Sequence, residues 1–289
     1  MNILRFINDP GTNMCFSNTA VSCLLNIPEM RVALRNLDTV DVDQNSISGE
    51  LSKLANLRNG TIASTEKTRS IVKQKCFENM QWTKDFNNNN QHDSGEFIQS
   101  LLEHFLNEPE IPQNLKDLFF SGLSQNTLSC PCGNKEELPV QHLPEVIPIQ
   151  VKGRTIQACL DDFLAPENIE WKCPICTSSR VLRNISIIVE PTVFIFQLMR
   201  YKYDEDSDKV IKINDRVKCP KQLILPSGST YSLISTINHI GEDTRSGHYN
   251  IVLFDGQCML IDDAVISNVE NFDQDFSRLS YIFTYRKNY

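Results

Sequence analysis

No stretch of 18 or more consecutive apolar residues occurs in the chain, so no segment has the length to cross a bilayer as a helix. The opening MNILRFINDP lacks the basic start and long apolar core of a secretory signal. These two gaps lead us to expect an intracellular protein, cytoplasmic or nuclear, without a membrane partner. Positive charge is scarce as well: 28 Lys and Arg face 36 Asp and Glu, a net charge of −8. That balance disfavours nucleic acid and suits a partner that is basic, or has a basic part. No internal repeat is found, and 289 residues are too few for two ample independent domains. One large domain with sub-lobes is the expectation, and nothing demands more than a monomer.

What is present begins with ten cysteines. Without a secretion signal they belong in a reducing compartment, where thiols serve metal binding or catalysis. Hydrophobic content of 40% and charged content of 22% are those of a globular protein with ample core. The first hundred or so residues read mostly helical. Asn87 to Asn90 is a loop; Asp93 with Glu96 forms a capping pair ahead of an apolar stripe from Phe97 to Leu106, closed by Pro109. Beyond residue 120 the texture changes to short β-rich runs, among them VIPIQV, ISIIV, TVFIFQLMRY, YSLISTINHI, HYNIVLF, CMLID and SYIFTY, with a helical insert at Thr155–Leu164. The acidic YDEDSD, Tyr203 to Asp208, reads as a solvated hairpin loop. Helices first and strands afterwards indicate an α+β architecture.

Three elements hold chemistry. In GTNMCFSNTAVSCLLNIPEM the apolar residues Phe16, Ala20, Cys23, Leu24 and Ile27 mark one face of a helix that should stop before Pro28. Cys15 then sits in its first turn, where unpaired backbone N–H groups and the helix dipole favour a thiolate. It is either an activated nucleophile or a small buried hydrophobe. Cys130-Pro-Cys132 and Cys173-Pro-Ile-Cys176 are two close pairs about 40 residues apart. Two such turns can complete a tetrahedral zinc shell, with no open position for catalysis; the one-residue spacing of the first pair is shorter than usual, and four uncoordinated thiols are the alternative. The third element is GHYNIVLFDGQCMLIDDAVIS, a hairpin about Asp255-Gly256. A two-residue turn places His248 opposite Asp263, whereas one extra turn residue makes Asp262 its diagonal neighbour on the same face. Either way a carboxylate can orient the imidazole as a base beside a thiol requires; alternatively the hairpin is an ordinary surface one.

Cysteine at a helix head, a distant histidine, then a carboxylate one strand later is the chain order of papain-like cysteine proteases. The residues resemble, more narrowly, the catalytic domain of ubiquitin-specific proteases. TNMCFSN resembles that family's cysteine box, QHDSGEFIQSLL its glutamine-aspartate box, PTVFIFQLMRY the strand ending in an arginine and an aromatic, and GHY with LIDDAVIS its histidine box; the quartet with WKCPIC falls where the family holds its fingers zinc. The resemblance covers nearly the whole chain. It implies a right-hand fold: a helical thumb (about 1–115), β-rich zinc-tipped fingers (about 116–190 with part of 200–225) and a β-sheet palm (about 191–289). It also implies a thiol hydrolase that cuts the isopeptide or peptide bond after the C-terminal glycine of ubiquitin, with structural zinc on Cys130, Cys132, Cys173 and Cys176. Cys15 would be the nucleophile, His248 the base and Asp262 its orienting acid, which selects the second hairpin register. Asp263 would assist. The loops Tyr203–Asp208 and Ile240–Gly247 would flank the slot for the ubiquitin tail.

The chain departs from the pattern at two places. The family's oxyanion asparagine, five residues before the cysteine, is Pro10 here, or Asp9 if one residue is inserted, so Asn8 or Asn13 would have to substitute. Loss of such a donor costs on the order of a hundredfold or more in rate. The aromatic before the acid pair is missing too. Two other readings therefore stand beside the first: the same chemistry on a ubiquitin-like modifier, or a weakly active or inactive ubiquitin-binding protein.

Overall fold

The computed structural model describes residues 3–37, 43, 45–79, 86, 90–120, 122–206, 208–242 and 246–289. Of the asparagine run only Asn90 falls within them, and Ser207 and residues 243–245 of the two slot loops lie outside.

The first 120 residues build a helical lobe. It contains α1 (Cys15–Leu25), α2 (Pro28–Leu37), α3 (Ile47–Asn56), α4 (Glu66–Glu78), α5 (Ser94–Leu106) and α6 (Gln113–Phe120), with β1 (Arg5–Phe6) paired in parallel to β2 (Ile62–Ala63). The first helix ends before Pro28, which opens the next one, where a missing N–H costs nothing. Every residue of α1 is buried, because it lies between α5 and the sheet strands that follow. Asp93 caps α5, its Oδ1 accepting the N–H of Gly95 (2.7 Å) and of Glu96 (3.0 Å). The Phe97–Leu106 stripe is core, as its spacing predicts.

Two larger sheets follow. The smaller orders β4 (Lys135–Glu137), β3 (Leu123–Ser129), β8 (Arg180–Val189) and β7 (Glu167–Glu170), with β5 (Gln141–His142) added to β3. It is a long extension whose tip has only Leu128, Cys130, Cys173 and Val181 as a buried cluster. The larger orders β16 (Val265–Asn268), β15 (Gln257–Asp262), β14 (His248–Asp255), β13 (Thr230–Ile240), β17 (Ser280–Lys287), β9 (Val193–Met199) and β6 (Ile147–Gln150), with β12 (Gln222–Ile224) on β13. Its central strands are apolar on both faces because both are covered. On β9, Val193 and Ile195 join the core under the helices, while Phe194, Phe196 and Leu198 join a second core that includes Ile156 and Leu160 of α7 (Ile156–Leu164). Tyr203 and Asp204 of the YDEDSD segment belong to β10 (Tyr201–Asp204), which pairs with β11 (Lys209–Lys212) as a hairpin, and a short helix α8 (Phe272–Phe276) precedes β17.

One boundary differs from the expected division at residues 116–190. Residues 147–150 pair in parallel with β9 in the larger sheet, and α7 packs there too. The alternation in Ile147-Pro-Ile149 buries both isoleucines in that second core, so the chain leaves the extension and returns to it at β7.

One buried polar device fixes the helical lobe to the larger sheet, and a second ties the end of β9 to the segments beside it. Tyr281 donates its hydroxyl to Asp93 Oδ2 (2.6 Å), while Gln197 Nε2 donates to Tyr281 Oη (2.6 Å); burial, foremost, raises the Asp93 carboxyl. Arg200, fully buried, donates to the carbonyls of Ser280, Ile213, Asp215 and Ser277 at 2.8–3.0 Å. Burial lowers its guanidinium to about 10, and the four carbonyls satisfy it without a carboxylate partner.

Candidate active site

Cys15 is the first residue of α1, 2% exposed, and no side chain caps that helix. Its orphan N–H groups therefore point at the space in front of the thiol. His248 opens β14 and Asp262 closes β15. The hairpin has the longer turn: Phe254 pairs with Cys258 and Ile251 with Ile261, which puts Asp262 across from Asn250 and diagonal to His248. His248 Nε2 lies 2.5 Å from Asp262 Oδ1, leaving Nδ1 for the thiol. Hydrogen bonding to Asp262, first, and to Cys15, second, pushes the imidazolium up to about 10 against the opposing effect of burial. The same contact with His248 is the main cause that lowers Asp262. The imidazole is thus held charged, with a carboxylate on one side and a sulfur on the other.

Only glycine can precede this histidine. Gly247 has φ +138°, and a Cβ there would lie 2.5 Å from Ile240 O and 2.6 Å from His239 Nε2. His239 in turn meets the Tyr201 hydroxyl at 2.6 Å through Nδ1.

Asp263 lies near His248 but bonds to the N-terminal segment and α1 rather than to the imidazole. It has φ +50°, and its two oxygens accept from Asn8 Nδ2 (2.7 Å) and Asn18 Nδ2 (2.8 Å), while its carbonyl accepts the Phe6 N–H. His248, Asp262 and Asp263 lie close enough together to hold a metal. Their ligand atoms are, however, committed to one another and to the two asparagines. Asn8 accepts the Met14 N–H on its Oδ1 (2.8 Å), so it holds the loop in front of Cys15 and keeps one amide proton uncommitted by these bonds. Asn13 takes φ +49°, a turn that asparagine tolerates better than most residues, and the chain enters α1 two residues later.

The sequence reading did not single out Gln91. Its Nε2 donates to Cys15 Sγ at 3.5 Å, and the thiol faces its Oε1 at 3.7 Å. The signal was available: a glutamine heads the QHDSGEF block, which resembles the family's glutamine-aspartate box, but that resemblance assigned no role to Gln91 itself.

At the tip of the extension the Sγ atoms of Cys130, Cys132, Cys173 and Cys176 all lie within 4.8 Å of one another, with Cys130–Cys176 at 3.4 Å and Cys132–Cys173 at 3.8 Å. A tetrahedral ion with bonds of about 2.3 Å places its sulfurs about 3.8 Å apart, so the cluster can hold a metal. The backbone N–H of Cys176, above all, and that of Ile175 lower Cys173 to about 6. Cys130 goes up to about 12: the Cys132 N–H favours its thiolate, but burial and the three neighbouring thiols outweigh it. Four thiols that share one shell behave in this way, the first ionising easily and the next resisting.

The chain's sequence from residue 8 to 285 matches the family model for ubiquitin carboxyl-terminal hydrolase. The chain belongs to that family. Probable ubiquitin carboxyl-terminal hydrolase 4 of Schizosaccharomyces pombe is 25% identical over 95% of this chain and 57% of its own length. Ubiquitin carboxyl-terminal hydrolase 48 of Danio rerio is 27% identical over 55% of this chain and 17% of its own. The chain thus spans about half the length, or less, of these hydrolase relatives. Among solved structures, the SAGA Ubp8/Sgf11/Sus1/Sgf73 DUB module bound to ubiquitin aldehyde matches with a TM-score of 0.77 at 18% identity, over 99% of this chain and 70% of that one. The module bound to monoubiquitin gives 0.79, also at 18%. These likenesses establish the fold, so the helical lobe, the extension and the large sheet are the thumb, fingers and palm of the hydrolase hand.

Proposed function

We propose that the protein is a cysteine-type ubiquitinyl hydrolase, cleaving the bond after the C-terminal glycine of ubiquitin. The observation that supports the reading most is the line Cys15–His248–Asp262, drawn from the thumb and from two adjacent palm strands into mutual contact. In this mechanism the Cys15 sulfur attacks the glycyl carbonyl, and the Cys15 N–H at the uncapped helix head together with Gln91 Nε2 and the second amide proton of Asn8 receives the oxyanion. Collapse breaks the carbon–nitrogen bond, His248 giving its proton to the departing amine. A thioester remains. Water, losing a proton to His248, attacks that thioester and releases the carboxylate and the thiol. Asp262 holds the ring in the required tautomer throughout, and Asp263 acts at one remove by fixing Asn8.

Zinc is the metal whose geometry and ligand chemistry suit Cys130, Cys132, Cys173 and Cys176, with the role of tying together a fingertip that has little core. Among the described residues no helix is long and apolar enough to cross a membrane. We assign ubiquitin as partner, a monomeric state, no nucleic acid or membrane partner, and a place in the cytoplasm or nucleus.

Ubiquitin bearing an electrophile at its C-terminus should form an adduct on Cys15 that Cys15→Ala abolishes. No adduct with wild-type protein refutes the enzyme reading. Adducts only with probes made from other modifiers move the specificity to a ubiquitin-like protein, and measurable affinity for ubiquitin without turnover leaves a binding protein.

A further inference from the structure

The four palm strands β15, β14, β13 and β17 carry a polar residue at successive facing positions. Asp262 stands across from Asn250, Asn250 pairs with Asn238, and Asn238 pairs with Ser280. The three behind Asp262 are almost completely buried: Asn250 is 3% exposed, Asn238 and Ser280 0%. Their neighbours along β14 are Ile251, Val252 and Leu253, all core. Two buried amides in such a sheet are costly unless fully hydrogen-bonded. They are bonded to each other in a file: Asn238 Nδ2 donates to Asn250 Oδ1 (3.0 Å), and Ser280 Oγ donates to Asn238 Oδ1 (3.0 Å) with Phe276 O as its second acceptor (3.0 Å).

The file has a direction, and its end at the triad dictates it. A carboxylate only accepts, so Asn250 must turn its amide nitrogen to Asp262 and its oxygen away. Asn238 must then offer its nitrogen to Asn250, which leaves its oxygen for the Ser280 hydroxyl. The opposite orientation would set the Asn250 oxygen against the Asp262 carboxylate. We propose that Asn250 is a positioning residue for the proposed reaction, its amide held by Asn238 and Ser280 so that Asp262 has one orientation from which to hold His248. The idea rests on the enzyme reading above for its role, but not for its test. In accord with it, the Asn250 amide also favours the charged form of Asp262, after the larger effect of His248.

The discriminating variants are Asn250→Leu and the double variant N238L/N250L. The single change leaves the Asn238 nitrogen buried without its acceptor and should destabilise the fold. The double change removes both amides, fills the space with apolar atoms and should recover much of the melting temperature, while Asp262 still lacks its donor. Three readouts are compared with the wild type: kcat and KM on a fluorogenic ubiquitin substrate, the alkylation rate of Cys15 by iodoacetamide at neutral pH, and the downfield proton resonance of the His248–Asp262 hydrogen bond. The expected result for the double variant is a stable protein with kcat down about tenfold or more, KM within about twofold, alkylation slowed, and the resonance broadened. A double variant that regains stability together with wild-type kcat, alkylation and resonance overturns the proposal, leaving the file a packing device. If ubiquitin is not turned over even by the wild type while alkylation and the resonance still change, the enzyme reading fails and the positioning role stands.

Discussion

Asp262 and Asp263 are neighbours in sequence and opposite in task, so replacing each by asparagine should give two different defects. In Asp262→Asn the charge that raises His248 to about 10 is gone. The alkaline limb of kcat/KM should fall by more than about one pH unit, equal to more than about 1.4 kcal/mol between the two protonation states. The wrong tautomer should cost up to about 10⁴ in kcat, as when the acid of a related triad is amidated. Asp263→Asn leaves the limb where it is. It offers one oxygen where two amides, Asn8 and Asn18, each need an acceptor. One charge-assisted bond is lost and the other weakened, together about 3 kcal/mol, or about 6 °C in melting temperature for a chain of this size. The rate should fall as the Asn8 loop loosens, without any change in the shape of the pH profile. Profiles of a fluorogenic ubiquitin amide from pH 5 to 11, with calorimetry on the same samples, make the comparison. An alkaline limb that moves in Asp263→Asn and stays in Asp262→Asn would refute the assignment of the two acids.

Other outcomes follow from the same geometry. Gln91→Ala should lower kcat by about 10- to 100-fold with little effect on KM or on melting, read from steady-state kinetics; an unchanged kcat removes Gln91 from the oxyanion site. Gly247→Ala should abolish labelling by a ubiquitin probe, because its Cβ would collide with Ile240 O and His239; normal labelling would show that the turn can open. The raised His248 gives a pH-dependent stability that is whole below about 6.5 and lost as pH rises through about 10. Urea midpoints should therefore drop from pH 7 to 10 more steeply in wild type than in His248→Gln. Metal analysis of protein purified without added zinc should find about one ion per chain, and Cys173→Ser should release it and expose the fingers strands to protease while the palm resists.

The strands with two apolar faces were legible because β9, β13, β14 and β17 read as dense runs of β-formers whichever face is considered. The fingers strand β3 was not, since LSQNTLS buries only Ser124 and Leu128 and is recognised as a strand by its main-chain pairing with β8, β4 and β5. Return of the chain to the palm at Ile147–Gln150 depends on a parallel pairing with β9, a contact across 49 residues that no local pattern encodes. At the site, Cys15 could be read from its helix and His248 from its hairpin, but counting alone left two registers; the structure has the one with the extra turn residue. Gln91, Asn250 and Asn238 eluded the reading because a polar side chain acquires its meaning from what it faces, and all three face residues more than ten positions away.

The clamp on Asp263 joins residues 8 and 18 to residue 263, and the strand that completes the palm, β17, ends at Lys287 between β13 and β9. Synthesis therefore makes Cys15, the proposed nucleophile, before the proposed base His248, the proposed acid Asp262 and the central palm strand β17. During synthesis the emerging thiol has no imidazole beside it, so the proposed hydrolytic power should arise in one step when β14, β15 and β17 dock, and growing chains should remain harmless to the modifiers around them.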